Sequence, residues 1–333
     1  MLKFFTSVLL ISSLFLTGCF FQQKEVSDTR FMMDTVISIS ATGDSEKTLE
    51  QAISAAFNAF KSVADATDPY ASHLPQDLFA LNKHAGQGPT KVNPILFTLL
   101  EETQKLAHPE INLTLGNIIS LWQAHSKAQT VPTPEEVKTA LALSLSGSLT
   151  LNKVDATVTL APKQQVDLGA VAKGYGVDAA AKVLRTNKAV TSALINAGGN
   201  IMVIGTKKDG KPWKIGIQNP RDNQKLLGTL ELKPNMAIAT SGDYQRYYEV
   251  KGVRYHHIID ASTGYPAQGT ISATAVASSG FLSDYYSTLL FVLPFDRAKK
   301  IVETTAGLEA IIQSAKGELY ISPGLKNIFT LAK

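Results

Sequence analysis

Two histidines and a carboxylate lie close together in the stretch Tyr255–Pro266, which also carries two hydroxyls and a Gly-Tyr-Pro turn. The apolar pair Ile258-Ile259 predicts a strand, in which alternate residues point to opposite faces. In such a strand His256 and Asp260 share one face, and His257 lies on the other. An imidazole titrates near neutral pH, so either histidine could act as a base. Two interpretations stay open: a functional site at a strand end, and a plain strand with one exposed histidine.

Asp284 and Thr288 stand four positions apart on a helix predicted over 281–293, so their side chains fall on the same face. Their hard oxygen atoms suit Mg²⁺ better than zinc or copper. Two side chains do not complete an octahedron, so backbone carbonyls, water or a substrate phosphate would supply the other ligands. The alternative is a capped or solvated helix face with no ligand.

A strand-to-helix junction spans Asp167–Gly174 and combines an acid, glycines and Lys173. Free N–H groups at a helix N-terminus attract anions, and Lys173 adds a mobile positive charge. The order differs from a Walker A loop because Lys173 precedes its glycine and Tyr175 follows; the GxGxxG fingerprint is also missing. A nucleotide would have to be held in another way. The alternative is a lysine that extends along a surface helix.

Three further features have simple structural explanations. Asn196–Asn200 contains paired glycines, which usually indicate a tight turn. Ser241 lacks the GxSxG surroundings of a nucleophilic serine. Met33 is compatible with a core position, and Tyr70, after a proline, either packs or stacks on a planar ligand.

The elements that must position these residues are mainly helices in the first half of the chain and strands in the second. Alternation predicts a strand over 31–40, and helical spacing of apolar residues predicts a helix to about residue 66. Asn93-Pro94 and Thr133-Pro134 are typical helix starts. Two strand pieces around a glycine turn are predicted over 193–204, and further strands over 213–217, 228–232, 237–240, 247–250, 255–259 and 271–279. The pattern indicates an α+β fold with helices packed on a mainly antiparallel sheet.

The N-terminus is predicted to be a bacterial lipoprotein signal. A positive charge at Lys3 precedes an apolar run too short to span a bilayer. Leu16–Cys19 resembles a lipobox, in which the cysteine becomes the lipid-bearing N-terminus. We therefore expect a signal peptide over 1–18, a polar tether over 19–28 and a single domain over 29–333. Acyl chains such as palmitate on Cys19 would attach the protein to a membrane.

Charge and cysteine content argue against a nucleic-acid partner and against internal disulfide bonds. The formal net charge of +4 is weak for 333 residues, and the basic residues are dispersed, so we expect no nucleic-acid partner. Cys19 is the only cysteine, so the mature chain has no internal disulfide.

Taken together, these stretches resemble the ApbE family, the FAD:protein FMN transferases, over most of the predicted mature chain. Each segment is common alone, but their order and spacing are specific. The segments that carry the resemblance are Met33-Asp34-Thr35, Leu81-Asn82, Val166–Gly169, Ala172–Tyr175, Asn196–Asn200, Ala239–Tyr244, His257–Asp260 with Thr263-Gly264, and Asp284 with Thr288.

The resemblance implies a T-fold-related architecture and a phosphoryl-transfer reaction. In it, Mg²⁺ bridges the pyrophosphate of FAD, a threonine hydroxyl of a client protein attacks the FMN phosphorus, and AMP leaves. The implied client is a flavin-bearing redox subunit, and the implied location is the bacterial cell envelope, on the periplasmic side.

The resemblance also implies roles for particular residues. Asp284, Thr288 and the backbone carbonyl of Ala170 would bind Mg²⁺. His257 is our candidate base, because its ordinary pKa lies near neutral pH. The residues implied to contact FAD are Met33, Tyr70, Thr114, Leu115, Gly116, Asp167, Lys173, His257, Ile258 and Ser287.

The chain departs from the family pattern in three places. Ala261-Ser262 replace a proline and a basic residue, Asn112-Leu113 replace Asp-Pro, and Tyr285-Tyr286 replace small or aliphatic residues. Two other functions stay open. One is a metal-dependent FAD pyrophosphatase that releases FMN and AMP to water; the other is a non-catalytic flavin-binding lipoprotein.

Overall fold

The structure is a computed structural model that describes residues 23–332. The predicted signal peptide and Cys19 lie outside the described residues. Among those described, no helix is long and apolar enough to cross a membrane. Helices and strands are numbered in chain order. The α-helices are α1 (Glu46–Thr67), α2 (Leu78–Lys83), α3 (Pro94–Leu106), α4 (Gly116–Ala128), α5 (Pro134–Ser144), α6 (Ala172–Thr186), α7 (Gly280–Val292) and α8 (Phe295–Thr304).

An eight-stranded sheet runs through the centre of the structure, and all its neighbouring strands are antiparallel. Its strands, in spatial order, are β1 (Lys24–Met32), β2 (Thr35–Gly43), β6 (Val190–Ala197), β7 (Asn200–Ile204), β10 (Ala237–Gly242), β13 (Thr270–Ala277), β14 (Glu309–Ser314) and β15 (Leu319–Ile321). The predicted α+β class with a mainly antiparallel sheet is confirmed.

Three smaller sheets complete the strand structure. One contains β8 (Trp213–Asn219), β9 (Asp222–Leu232) and β16 (Phe329–Leu331). Another contains β3 (Thr90–Lys91), β4 (Thr150–Asn152) and β5 (Thr157–Thr159), and a hairpin pairs β11 (Tyr247–Val250) with β12 (Val253–His256).

Apolar residues cover both faces of the main sheet. Met202 packs among residues of α1 and α6, whereas the next residue, Val203, packs against β8 and β9 on the opposite face. Helix α7 packs on β10 and β13, and every residue of β13 is buried. Burial on both faces holds the sheet rigid beneath the helices that carry the candidate site.

Side-chain caps begin several helices, and the starts predicted at Asn93-Pro94 and Thr133-Pro134 are confirmed. Ser45 accepts a hydrogen bond from the Thr48 amide and caps α1. Thr133 and Glu136 form a reciprocal capping box at α5. Asn93 caps α3, with Pro94 as its first helical residue.

The N-terminal boundary of the domain was predicted too late. We placed a tether over 19–28, but β1 begins at Lys24 and pairs with β2 along its whole length. Lys24–Asp28 is polar because β1 is an edge strand, and charged residues are typical of such edges. Polarity alone therefore did not separate an edge strand from a tether.

The strand of the opening stretch is shorter than predicted. It was expected over 255–259, but β12 ends at His256. Asp260 then closes a turn, because its carbonyl accepts from the amides of Thr263 and Gly264. The predicted alternation therefore fails, and Ile258 and Ile259 are both buried. The short strand β3 and the late strand β16 were not predicted, since two or three residues carry no clear periodicity.

Candidate active site

One large cleft collects most of the residues singled out from the sequence. It has a volume of about 1510 Å³, above the range of most small-molecule pockets. It opens where the β1–β2 turn, the α6 junction, α7 and the β11–β12 hairpin meet. The predicted site residues that line it are Met33, Tyr70, Leu115, Asp167, Ala170, Lys173, His257, Ile258, Asp284 and Thr288.

Asp284 lies at the base of this cleft and is 4% exposed. Its Oδ2 accepts a hydrogen bond of 2.8 Å from the Gly174 amide. Its Oδ1 lies 4.0 Å from Lys173 Nζ, which is an ion pair beyond hydrogen-bond length. Burial raises the pKa of Asp284, although Lys173 and the Gly174 amide oppose that shift. The carboxylate is therefore only partly neutralised by the protein.

Two glycines let α6 and α7 approach closely enough to make this contact. A Cβ on Gly174 would lie 2.1 Å from the Gly280 carbonyl oxygen and 2.6 Å from Asp284 Cβ. Asp178 on α6 accepts hydrogen bonds from the amides of Gly280 and Phe281 at the start of α7. The position of Asp284 is thus set by backbone contact between two helices, which the sequence motif did not reveal.

We expect Gly174→Ala to lower the free energy of unfolding by about 1–3 kcal/mol, because its methyl group would force the two helices apart. It should also displace Asp284. Thermal unfolding would measure the loss of stability. Gly216→Ala is the control, since its methyl would meet only the Leu226 side chain, at 3.0 Å or more. Equal stability of the two variants would contradict this account of the helix contact.

The donor atoms around Asp284 fit a hard divalent cation. Within residues 23–332 no three His, Cys, Asp or Glu side chains form a metal cluster. The site instead offers one buried carboxylate, the Thr288 hydroxyl one turn later and the Ala170 segment, all lining the cleft. Mg²⁺ commonly takes one or two protein ligands and completes its shell with water and substrate phosphates. A partly neutralised carboxylate in an open cleft suits that arrangement.

The predicted anion-binding junction is held by α2. Asn82 donates to the Val166 carbonyl at 2.9 Å and accepts from the Val166 amide at 2.8 Å. These bonds fix the segment that continues into Asp167, whose Oδ1 accepts from the Gly169 amide. Burial raises the pKa of Asp167. Lys173 is the second residue of α6, and its Nζ donates to the Gly169 carbonyl at 3.4 Å and lines the cleft.

Hydrogen bonds distinguish the two neighbouring histidines. His256 is buried, and its Nε2 donates to the Ala267 carbonyl while its Nδ1 accepts from the Ile258 amide. Both nitrogens are therefore engaged in holding the turn. His257 lines the cleft, and its Nδ1 lies 3.1 Å from the Arg246 carbonyl. A carbonyl only accepts, so Nδ1 carries the proton and Nε2 keeps a free lone pair.

The environment of His257 favours its neutral form. The side chain is exposed to the cleft, and the desolvation arises because the ring lies inside that concave site, where protein atoms on several sides reduce its hydration. This desolvation is the main reason that its pKa falls to about 4, and nearby Arg246 and Lys173 act in the same direction. At neutral pH the side chain is thus an unprotonated base.

Two adjacent hairpin turns close one end of the cleft. Met33 and Asp34 have φ values of 51° and 57° and join β1 to β2. Gly198 and Gly199 join β6 to β7, also with positive φ. A Cβ on Gly198 would lie 2.3 Å from Thr35 Oγ1, so glycine is required where these turns touch. The tight turn predicted for the paired glycines is confirmed.

Asn200, directly after that turn, is a site residue that the sequence did not identify. It is 3% exposed and lines the cleft beside Asp284. Its amide lowers the pKa of Asp284, yet Nδ2 makes no hydrogen bond of normal geometry within the described residues. We interpret the contact as close but poorly aligned. A buried amide is a weak sequence signal, because asparagine after a glycine turn is common in ordinary hairpins.

Three residues implied by the resemblance do not line the cleft. Thr114 is buried and bonds Asn112 and the Ser144 carbonyl, while Gly116 packs on Gln165. Ser287 is buried and bonds Ser241 and the Asp284 carbonyl. In this structure these residues pack beneath the residues that line the cleft and do not face it.

The two tyrosines that depart from the family pattern are buried as well. Tyr285 is 1% exposed, and its ring centroid lies 5.3 Å from that of Tyr286 in an edge-to-face arrangement. His108 lies next to both rings. Neither tyrosine lines the cleft, so they anchor α7 in the core and do not crowd the ion site.

The rim of the cleft carries further aromatic side chains. Tyr70 is 58% exposed, and its hydroxyl donates to Gln123. Trp122, next to Gln123 in the chain, also lines the cleft and stacks on Tyr255, with ring centroids 5.6 Å apart. Planar ligands bind well against such surfaces.

Comparison with known proteins agrees with this geometry. A model of the ApbE family matches residues 33–312. The chain is 32% identical over 248 residues to an FAD:protein FMN transferase of Klebsiella pneumoniae, covering 73% of this chain and 76% of that protein. It is 31% identical over 307 residues to one of Vibrio cholerae, covering 89% and 90%.

Solved structures show the same similarity. A crystal structure of the ApbE protein from Thermotoga maritima superposes with a TM-score of 0.81 at 28% identity, covering 92% of this chain and 99% of that one. The flavin transferase ApbE of Vibrio cholerae superposes with a TM-score of 0.78 at 28% identity, covering 92% and 100%.

Proposed function

This chain belongs to the ApbE family of flavin transferases, and from that premise we propose that it transfers FMN from FAD to a threonine hydroxyl of a client protein and releases AMP. The observation that carries the proposal is the convergence of Asp284, Thr288, Lys173 and His257 on one cleft. Phosphoryl transfer depends on positioning and charge neutralisation more than on covalent help from the enzyme. This cleft supplies residue types suited to both.

We assign the chemical roles from the contacts of each side chain. Lys173 lies where the junction meets α6 and offsets negative charge on the pyrophosphate. The Nε2 of His257 takes the proton of the incoming hydroxyl. A bond then forms between the client oxygen and the FMN phosphorus, while the bond from that phosphorus to the AMP oxygen breaks. AMP leaves with that electron pair, so atoms and charge balance.

Mg²⁺, when bound, would neutralise charge on the pyrophosphate and orient it for in-line attack. Asp284, Thr288 and the Ala170 carbonyl are the groups of this chain that would hold it. The Gly174 amide, which donates to Oδ2, keeps the Asp284 carboxylate in place. The aromatic surfaces of Tyr70 and the apolar side chain of Met33 are available to the flavin nucleotide.

The test is to incubate the protein with FAD, Mg²⁺ and a client domain carrying a single acceptor threonine. We expect the client to gain one FMN on that threonine, by mass spectrometry, with one AMP released per FMN attached. Free FMN and AMP with no client adduct would indicate a pyrophosphatase instead. FAD binding without AMP release would indicate a non-catalytic binder, and either outcome would overturn the proposal. A client with Thr→Val is the control.

We also propose that Cys19 carries lipid and holds the protein at the bacterial cell envelope, on the periplasmic side. The lipobox in the sequence supports this. The supporting experiment is mass analysis of the N-terminal peptide after expression in a lipid-modifying host. An unmodified Cys19, or an N-terminus other than residue 19, would contradict this location without affecting the proposed reaction.

A further inference from the structure

The chain between the proposed lipid and the domain is shorter than the tether predicted over 19–28. Because β1 begins at Lys24 and Gln23 is already bonded to the domain, only three residues of sequence lie between Cys19 and the part of the chain that the structure describes. Four Cα–Cα steps reach at most about 14 Å. A lipid on Cys19 would therefore keep this end of the domain close to the bilayer surface.

The surface beside that attachment point is basic. The turn between β7 and β8 carries Lys207, Lys208 and Lys211, and Lys208 Nζ donates to the Gln23 carbonyl at 2.5 Å. A carbonyl does not neutralise the ammonium charge. Lys24 adds a fourth positive charge at the start of β1. Acids also lie at this end: Asp209, which pairs with Lys211 at 3.0 Å, Glu25, and Asp44, which follows the β2 partner of Lys24.

The same end of the sheet lies far from the cleft. Strand β1 runs from Lys24 to Met32, and the following Met33 lines the cleft. Nine strand residues span about 30 Å. Strand β7 confirms the direction, because it leaves the Gly198-Gly199 turn at the cleft and ends before the basic turn. The lysines and the cleft are therefore at opposite ends of the same strands.

We propose that the β7–β8 turn, with Lys207, Lys208 and Lys211, docks on the anionic phospholipid headgroups of the membrane that holds the lipid anchor. Lysine side chains near an anionic surface are attracted within about a Debye length, roughly 8–10 Å, and a tether of at most about 14 Å lets these three reach that range. The domain then stands with β1 upright and its cleft about 30 Å from the bilayer. Clients would be reached in the aqueous phase. This inference rests on the lipid at Cys19 proposed above.

The two tryptophans of the chain report on the two ends. Trp213 begins β8, donates to the Gly205 carbonyl and lies 5.8 Å from Lys207 Nζ. Trp122 lies in the cleft wall. The full lipidated protein would be placed in phosphatidylcholine vesicles with about 30% phosphatidylglycerol and a headgroup-nitroxide lipid that quenches nearby fluorescence. Trp122→Phe and Trp213→Phe leave one reporter each.

We expect Trp213 to be quenched at least about threefold more strongly than Trp122, because the basic turn rests among the headgroups. Changing Lys207, Lys208 and Lys211 together to Gln should bring the quenching of Trp213 down toward that of Trp122, and so should high salt. The control changes Lys138, Lys153 and Lys316 to Gln, which removes equal charge elsewhere and should leave the quenching unchanged.

The outcomes separate this inference from the proposals beneath it. Equal quenching of the two tryptophans, or no effect of the triple Lys→Gln change, would overturn headgroup docking alone. Failure of the chain to float with vesicles would overturn the lipid anchor and this inference with it. FMN transfer by the lipidated protein that keeps both tryptophans, in the same vesicles, tests the proposed reaction independently of either result.

Discussion

Replacing Asp284 with Asn is expected to reduce AMP release from FAD by about 10³-fold or more, because it removes a preorganised charge at the reacting phosphates. Asparagine keeps the shape and still accepts the hydrogen bond from the Gly174 amide. The loss should therefore come from charge and not from a displaced helix. Initial rates of AMP release, with Mg²⁺ varied, measure it.

The stability of the same variant should move in the opposite direction. Burial raises the pKa of Asp284 above its unfolded value, so the ionised carboxylate costs folding free energy at neutral pH. That cost disappears as the pH falls below the unfolded pKa. The ligand-free Asp284→Asn protein should thus be at least as stable at pH 7 as the parent, with the difference vanishing in acid.

Asp296→Asn provides the matched control, since that side chain is 93% exposed on α8. It should change neither activity nor stability. Wild-type activity of Asp284→Asn would disprove the assigned metal ligand. Loss of both activity and stability would show that the carboxylate holds the fold, contrary to our interpretation.

His257→Ala is expected to slow FMN transfer by about 10²–10⁴-fold, the usual contribution of a positioned general base. FAD affinity should change much less, so the effect should appear mainly in kcat. Added imidazole should restore part of the rate by occupying the space of the ring. His84→Ala is the control, because that ring is exposed at the end of α2 and does not line the cleft.

The pH dependence gives a second test of His257. Its pKa of about 4 means that the base is already unprotonated in the free enzyme at neutral pH. We therefore expect kcat/KM to show no inflection from this group between about pH 5.5 and 8 and to fall only in more acidic solution. An inflection near pH 6.5 that His257→Ala abolished would show that the ring is hydrated and not desolvated.

The same shift has a consequence for stability. The unfolded histidine has an ordinary pKa and binds its proton more readily than the folded one. His257 therefore does not reduce the free energy of unfolding above pH 6.5. That free energy decreases as the pH falls toward about 4, because the unfolded chain then binds the proton more readily.

Much of the local structure was predictable because its causes are local. The start of α5 needs only Thr133, Pro134 and Glu136, which stand within four residues of one another. The tight turn at Gly198-Gly199 needs only a backbone free to adopt positive φ. The polar edge strand β1 was mistaken for a tether, since its partner β2 is recognisable only once the hairpin is formed.

The site could be predicted in part. The spacing of Asp284 and Thr288 and the Asp167–Lys173 junction were recognisable, and the structure brings all four residues into one cleft. Thr114, Gly116 and Ser287 lie nearby in sequence to cleft residues but face other contacts. Whether a side chain faces the cleft or the layer behind it depends on packing that spans distant segments.

His256 and His257 show most clearly which features the sequence determines and which depend on the tertiary structure. The sequence alone determined that an imidazole, a carboxylate helix and a lysine-bearing junction were present in one chain, together with the helix caps and strand runs that carry them. Only the tertiary structure decided that His256 holds a turn while His257 keeps a free nitrogen in the cleft. His256 Nε2 donates to the Ala267 carbonyl, whereas His257 donates through Nδ1 to the Arg246 carbonyl. Likewise Gly174, 110 positions from Asp284, fixes the position of the Asp284 carboxylate, because its amide donates to Oδ2 where α6 and α7 pack together. Such contacts arise from the burial of whole elements against one another, and burial is a property of the folded chain.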